Sequence, residues 1–157
     1  MKNTSYVFHS TWKLAAPKAA VWQALAAQPF SWDAWWPQLS DVRDMRYIKG
    51  LSGTSFSCTW WAPTGYRLKS DVAIGKVVSD QEVILHADGD LRGSVSCRLS
   101  ESNGQTKIDI DWRVETTKPW MNRLAFALRP IFVWSHHAVM RSGERGLHRH
   151  LAAKPVA

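Results

Sequence analysis

The chain has 157 residues, 45% hydrophobic and 21% charged, with a formal net charge of +7 at pH 7. That balance is ordinary for a globular protein and long enough for one domain, 1–157, with a core of its own. No stretch reaches the ~18 apolar residues of a spanning helix, and Met1-Lys2-Asn3-Thr4-Ser5 opens no apolar run, so neither anchor nor secretory signal is expected and the expected location is cytoplasmic.

Residues 6–14 alternate, with Tyr6, Phe8, Ser10, Trp12 and Leu14 in one phase, which predicts a first strand. Pro17 then stands where a helix starts, since its missing N–H costs nothing there. The Ala-rich run that follows predicts a helix with Val21, Trp22 and Leu25 on its apolar side, ended by Pro29. Residues 30–37, with Trp32, Trp35 and Trp36, read as a short second helix or an aromatic turn.

From Leu39 the pattern is strand after strand: 39–48 with weak periodicity, then 53–61, 66–78, 82–88 and 91–100. Ser102-Asn103-Gly104 marks a hairpin into 107–115, where Ile108, Ile110, Trp112 and Val114 alternate with Lys107, Asp109, Asp111, Arg113 and Glu115. Short links of this kind favour an antiparallel, curved sheet. Such a sheet has one face to bury, and the C-terminal stretch is the obvious cover. Pro119 opens that stretch. Pro130 predicts a break in it, with a main helix over 131–152 roughly 30 Å long.

Placed at 100° intervals, His137, Arg141, Arg145 and Arg149 form one outward stripe. Phe132, His136, Val139, Gly143, Gly146 and His150, flanked by Met140 and Leu147, form the inward side. Two glycines in a helix cost about 1 kcal/mol each relative to alanine, so they permit either close approach of a neighbour or open volume. From Lys118 onward seven Lys/Arg, including Lys154, stand against Glu144 alone, which fits a solvated face or an anionic-membrane contact through Arg141, Arg145 and Arg149. A nucleic-acid surface would interleave these cations with exposed aromatics, which the wheel puts on the other side.

Cys58 and Cys97 follow no metal or CxxC spacing and read as reduced core thiols. His136 and His137 are adjacent and point apart, so no metal site is expected, and no cofactor motif is present in the sequence. Asp88, Asp90 and Arg92 surround a glycine bend and read as turn chemistry. The ten Trp suit an aromatic-lined interior.

The order of elements and several segments resemble the polyketide cyclase/dehydrase and lipid-transport superfamily, also called START-like, Bet v 1-like or SRPBCC. The resemblance rests on Phe8-His9-Ser10-Thr11-Trp12-Lys13-Leu14 followed by Ala16-Pro17 and Val21-Trp22. It continues through Trp35-Trp36-Pro37, Gly89-Asp90-Leu91-Arg92-Gly93, and Trp134-Ser135-His136 with Val139-Met140, Gly143, Gly146 and Leu147. It implies an α+β helix-grip fold: a seven-stranded antiparallel sheet curved around a long C-terminal helix, two short helices after the first strand, and a hydrophobic cavity between sheet and helix.

It also implies binding or transport of a hydrophobic small molecule (lipid, aromatic or polyketide-like) or, alternatively, polyketide cyclase/dehydratase activity. No catalytic residue transfers with it. The in-phase residues expected to line the cavity are Trp12, Phe56, Trp60, Leu68, Leu85, Val95, Cys97, Trp112, Phe132 and His136. His136 is the candidate acid or base, with Arg98 or Asp88 as a partner.

Overall fold

The computed structural model describes residues 4–26 and 32–153; the readings made for Pro29, Phe30 and Lys154 lie outside them. Strand β1 (Thr4–Leu14) is followed by α1 (Lys18–Leu25) and α2 (Trp32–Trp35). Six strands then run in succession: β2 (Leu39–Arg46), β3 (Ser55–Trp61), β4 (Arg67–Val78), β5 (Glu82–Gly89), β6 (Leu91–Ser102) and β7 (Gln105–Thr116). Helices α3 (Pro119–Arg123) and α4 (Ala125–Ala153) close the chain. The seven strands form one antiparallel sheet in the order β1-β7-β6-β5-β4-β3-β2, curved around α4.

The alternation sets the register. Opposite Trp112 on β7 lie Phe8 on β1 and Val95 on β6; Val95 in turn faces Leu85, and Leu85 faces Ile74. These side chains share the inner face because successive residues of a strand point to opposite sides. The other phase is wet. His9 Nδ1 lies 2.7 Å from Asp111, Arg98 lies 3.7 Å from the same carboxylate, and Lys107 lies 3.7 Å from Asp109. Asn103 and Gly104 both take positive φ, 54° and 74°, the geometry a two-residue hairpin needs to match the twist of its strands.

Two departures from the sequence pattern have local causes. The weak periodicity of β2 reflects two register shifts, with Asp41 and Asp44 at φ of 51° and 54°; each shift moves the following residues to the other face. Pro130 does not break the last helix. The interruption falls at Leu124, and α4 runs through Pro130 for 29 residues, roughly 44 Å. Pro130 removes the N–H that would bond the Phe126 carbonyl, but both residues are exposed, so that carbonyl is not left buried without a partner.

The two helix glycines serve close approach. A Cβ on Gly146 would overlap the Trp35 carbonyl oxygen, and one on Gly143 would lie 2.5 Å from Trp36 and 2.9 Å from Trp12. The Trp36 indole lies on the bare backbone at Gly143 and donates its N–H to the Val139 carbonyl at 2.9 Å. Glycine at these positions therefore docks α2 onto α4.

Candidate functional site: a divided apolar cavity

Between the concave face of the sheet and α4 the interior is not filled. One compartment, of about 80 Å3, lies toward the start of α4 and is lined among others by Tyr6, Phe8, Tyr66, Leu68, Met121, Phe132, Ser135 and His136. A second, of about 90 Å3, lies under α1 and α2, lined among others by Trp12, Trp32, Trp35, Trp36, Phe56, Leu85, Val95, Cys97, Ile108 and Ile110. Trp60, Leu91, Trp112 and Met140 border both, so they form the partition. The Trp60 and Trp112 rings meet edge to face with centroids 6.4 Å apart. Together the two spaces slightly exceed the roughly 150 Å3 of an apolar cavity that takes one benzene.

All ten residues expected at the cavity lie on these walls: Leu68, Phe132 and His136 in the first compartment, Trp12, Phe56, Leu85, Val95 and Cys97 in the second, Trp60 and Trp112 in the partition. The sequence reading passed over Tyr6 and Phe8, although they share the phase of Trp12 on β1. It also passed over Ser135 and Tyr66. Ser135 is buried, its Oγ 3.2 Å from Thr64 Oγ1, and it hydrogen-bonds Tyr66 as well. Tyr66 opens the strand predicted over 66–78 and shares the phase of Leu68, which was the signal for it; in the structure it stands just before β4.

Neither compartment is lined by any Asp, Glu, Lys or Arg among the described residues. Arg98 and Asp88, considered as partners of His136, stand on the outer face, paired with Asp111 and Arg92 respectively. The polar chemistry inside is neutral. His136 stacks on Phe8 with centroids 3.8 Å apart and meets the Trp112 ring edge-on at 5.0 Å. Burial, assisted by His137, lowers its pKa to about 3, so it is an uncharged imidazole at neutral pH. Its Nε2 is buried with no hydrogen-bond partner, as are Trp112 Nε1 and Tyr6 Oη. Burial raises the Tyr6 pKa, partly opposed by Arg129, whose guanidinium lies 4.6 Å from the ring centroid.

The second compartment also has buried polar atoms without partners, Ser70 Oγ and the indole nitrogens of Trp12 and Trp35. Cys97 borders it with a thiol pushed up to about 12 by burial first and by Asp111 second. No group of three or more His, Cys, Asp or Glu among the described residues is placed to hold a metal ion.

No family model matches the sequence, and no curated protein matches it either. Solved structures do match in shape. A Thermus thermophilus protein superposes with a TM-score of 0.78 at 14% identity, over 94% of this chain and 98% of that one. A START superfamily protein from Mycobacterium smegmatis gives 0.72 at 11% identity, over 93% and 97%. The fold is START-like. The Zhui aromatase/cyclase of a Streptomyces species shares it with a TM-score of 0.74 at 10% identity, over 95% of this chain and 94% of that one. Identity this low carries architecture and no chemistry. The chemistry of this interior rests on its own residues: two small apolar rooms, an indole partition, and uncharged polar atoms on the walls of both.

Proposed function

We propose that the protein binds a neutral, oxygen-bearing aromatic molecule in the divided cavity. The observation that carries this reading is the trio Tyr6 Oη, Trp112 Nε1 and His136 Nε2, three buried polar atoms without protein partners on or beside the wall of one apolar compartment. Leaving such a group unsatisfied costs about 1–3 kcal/mol, and a guest oxygen accepting from Tyr6 and Trp112 would recover part of that. A charged head group gains nothing here, because no lining side chain carries a compensating charge. That favours an aromatic guest over an ionised lipid.

Titration of the protein's Trp fluorescence with phenol, benzene and benzoate tests the reading. The expected order is phenol tighter than benzene by about tenfold, the worth of one recovered buried hydrogen bond, with the carboxylate weakest. Equal affinity for the carboxylate would overturn it.

A second reading, cyclisation or dehydration of a poly-β-ketone with His136 as acid or base, is supported by the position of that imidazole and by the aromatase/cyclase that shares the fold. With a pKa of about 3 the ring at neutral pH is the uncharged imidazole rather than the imidazolium, a poor general acid and a weak base, and no lining carboxylate orients it. Replacing His136 by Gln separates the two: a carrier changes its affinity, whereas an enzyme loses its rate.

A further inference from the structure

The outer face of α4 is divided along its length. Over the first turns it is apolar: Phe126 is 89% exposed, Trp134 58% and Ile131 44%. Phe126, Pro130 and Trp134 are four apart and therefore stand above one another on the side away from the sheet. Leu124 and Trp120, 43% and 41% exposed, extend the patch onto α3. Further along the same face the exposed residues become His137, Arg141, Arg145 and Arg149. Bulky apolar side chains exposed together, rather than singly, mark a contact surface.

The chain segment that carries the patch holds cations only, although one of them, Lys118, pairs with Asp90 of the β5–β6 turn at 3.6 Å. Between Glu115 and Glu144 the chain holds no acidic residue, but it holds Lys118, Arg123, Arg129 and Arg141. Glu144 stands about five turns beyond Phe126 and is engaged elsewhere, its Oε2 accepting the Lys13 backbone N–H at 2.8 Å.

We propose that this face of α3 and α4 docks on an anionic lipid bilayer, with Phe126, Ile131 and Trp134 in the headgroup boundary and Arg123, Arg141 and Arg145 on the phosphates. A helix presenting Trp and Phe beside arginines lies in such an interface, with its apolar side entering the boundary and its cations drawn by anionic lipid. Among the described residues no helix is long and apolar enough to cross a membrane, and the contact proposed is a peripheral one. The alternative occupant, a second copy on the same patch, brings two sets of arginines toward one another. Docking also puts the cavity at the bilayer: Trp120 packs edge-on against Tyr66 and Phe132, both on the wall of the first compartment, with centroids 6.0 Å away in each case. The surface itself does not depend on what the cavity holds.

Sedimentation of the full chain with phosphatidylcholine vesicles, with and without phosphatidylserine, tests this. Binding is expected with phosphatidylserine, fading as salt rises, and weakened roughly fivefold for each of Arg141→Gln and Arg145→Gln. The double variant Phe126→Ser, Trp134→Ser changes only exposed side chains and should keep the wild-type Tm while losing vesicle binding. Binding indifferent to phosphatidylserine, or retained in full by the double variant, overturns the proposal. So does a concentration-dependent dimer that this variant abolishes, which would make the patch a self-interface.

Discussion

Gly146→Ala tests how α2 is held. On propensity alone the substitution stabilises a helix by about 1 kcal/mol. The new methyl, however, would overlap the Trp35 carbonyl oxygen and lie 2.8 Å from the carbonyl carbon. Backbone cannot swing aside as a side-chain tip can, so α2 must move as a unit. Overpacking of this kind costs about 1–3 kcal/mol, and a backbone clash belongs at the upper end. The net expectation is a loss of about 2 kcal/mol, or a Tm lower by about 4–8 °C in a chain of this size. Because Trp35 and Trp36 wall the second compartment, affinity for an apolar fluorescent probe should change with it. Gly143→Ala should cost about half as much, since it meets indole rings that can pivot, although the Trp36 bond to Val139 would then weaken. Urea unfolding followed by Trp fluorescence measures both. A Gly146→Ala protein as stable as the parent, or more so, would show that the glycine does not dock α2.

Three further outcomes follow from the cavity. The lowered pKa of His136 means that between about pH 6.5 and pH 3 the unfolded chain binds a proton that the native one does not, so stability falls as pH drops through that window, by about 1.4 kcal/mol per unit at most; His136→Phe should flatten this slope in pH-dependent urea unfolding, and an unchanged slope would mean the imidazole is not shielded. Trp112→Ala merges the two compartments and removes a half-buried indole; a loss of about 2–3 kcal/mol with weaker uptake of a single-ring guest is expected by calorimetry, and no change in either would take Trp112 out of the wall. Both thiols are pushed up to about 12, chiefly by burial, so the native protein should react slowly with a thiol reagent at neutral pH and release two equivalents in urea; rapid native reaction at either cysteine contradicts the packing.

The sheet was legible because β1, β3, β6 and β7 alternate cleanly, unlike the twice-shifted β2, and period two fixes which side chains face inward once one face is buried. That same rule brought Trp12, Val95 and Trp112 to one interior from three distant segments. What the chain could not disclose was decided by tertiary contact. Whether Gly143 and Gly146 made room or drew a neighbour close depended on where α2 lay, and nothing local specifies that. Pro130 misled because a helix tolerates proline where its orphaned carbonyl reaches water, a matter of exposure rather than sequence. The partition of the cavity was equally hidden: Trp60 and Trp112 were expected on a common wall, and only their edge-to-face contact turns one room into two.

The two outermost strands of the sheet meet the problem of unpaired backbone in opposite ways. At one border, α4 supplies what an eighth strand would have offered: Glu144 takes the Lys13 N–H, His148 donates to the Lys13 carbonyl at 2.9 Å, and Arg129 reaches the Ser5 carbonyl at 3.4 Å. At the other, β2 is kinked twice and carries Asp41, Arg43 and Asp44, a profile on which no foreign strand can lie flat. The sheet can thus stay open along its length, around the divided cavity, without also being open to addition of strands from neighbouring molecules, and the contacts of Glu144 and His148 with Lys13 are part of what closes that border.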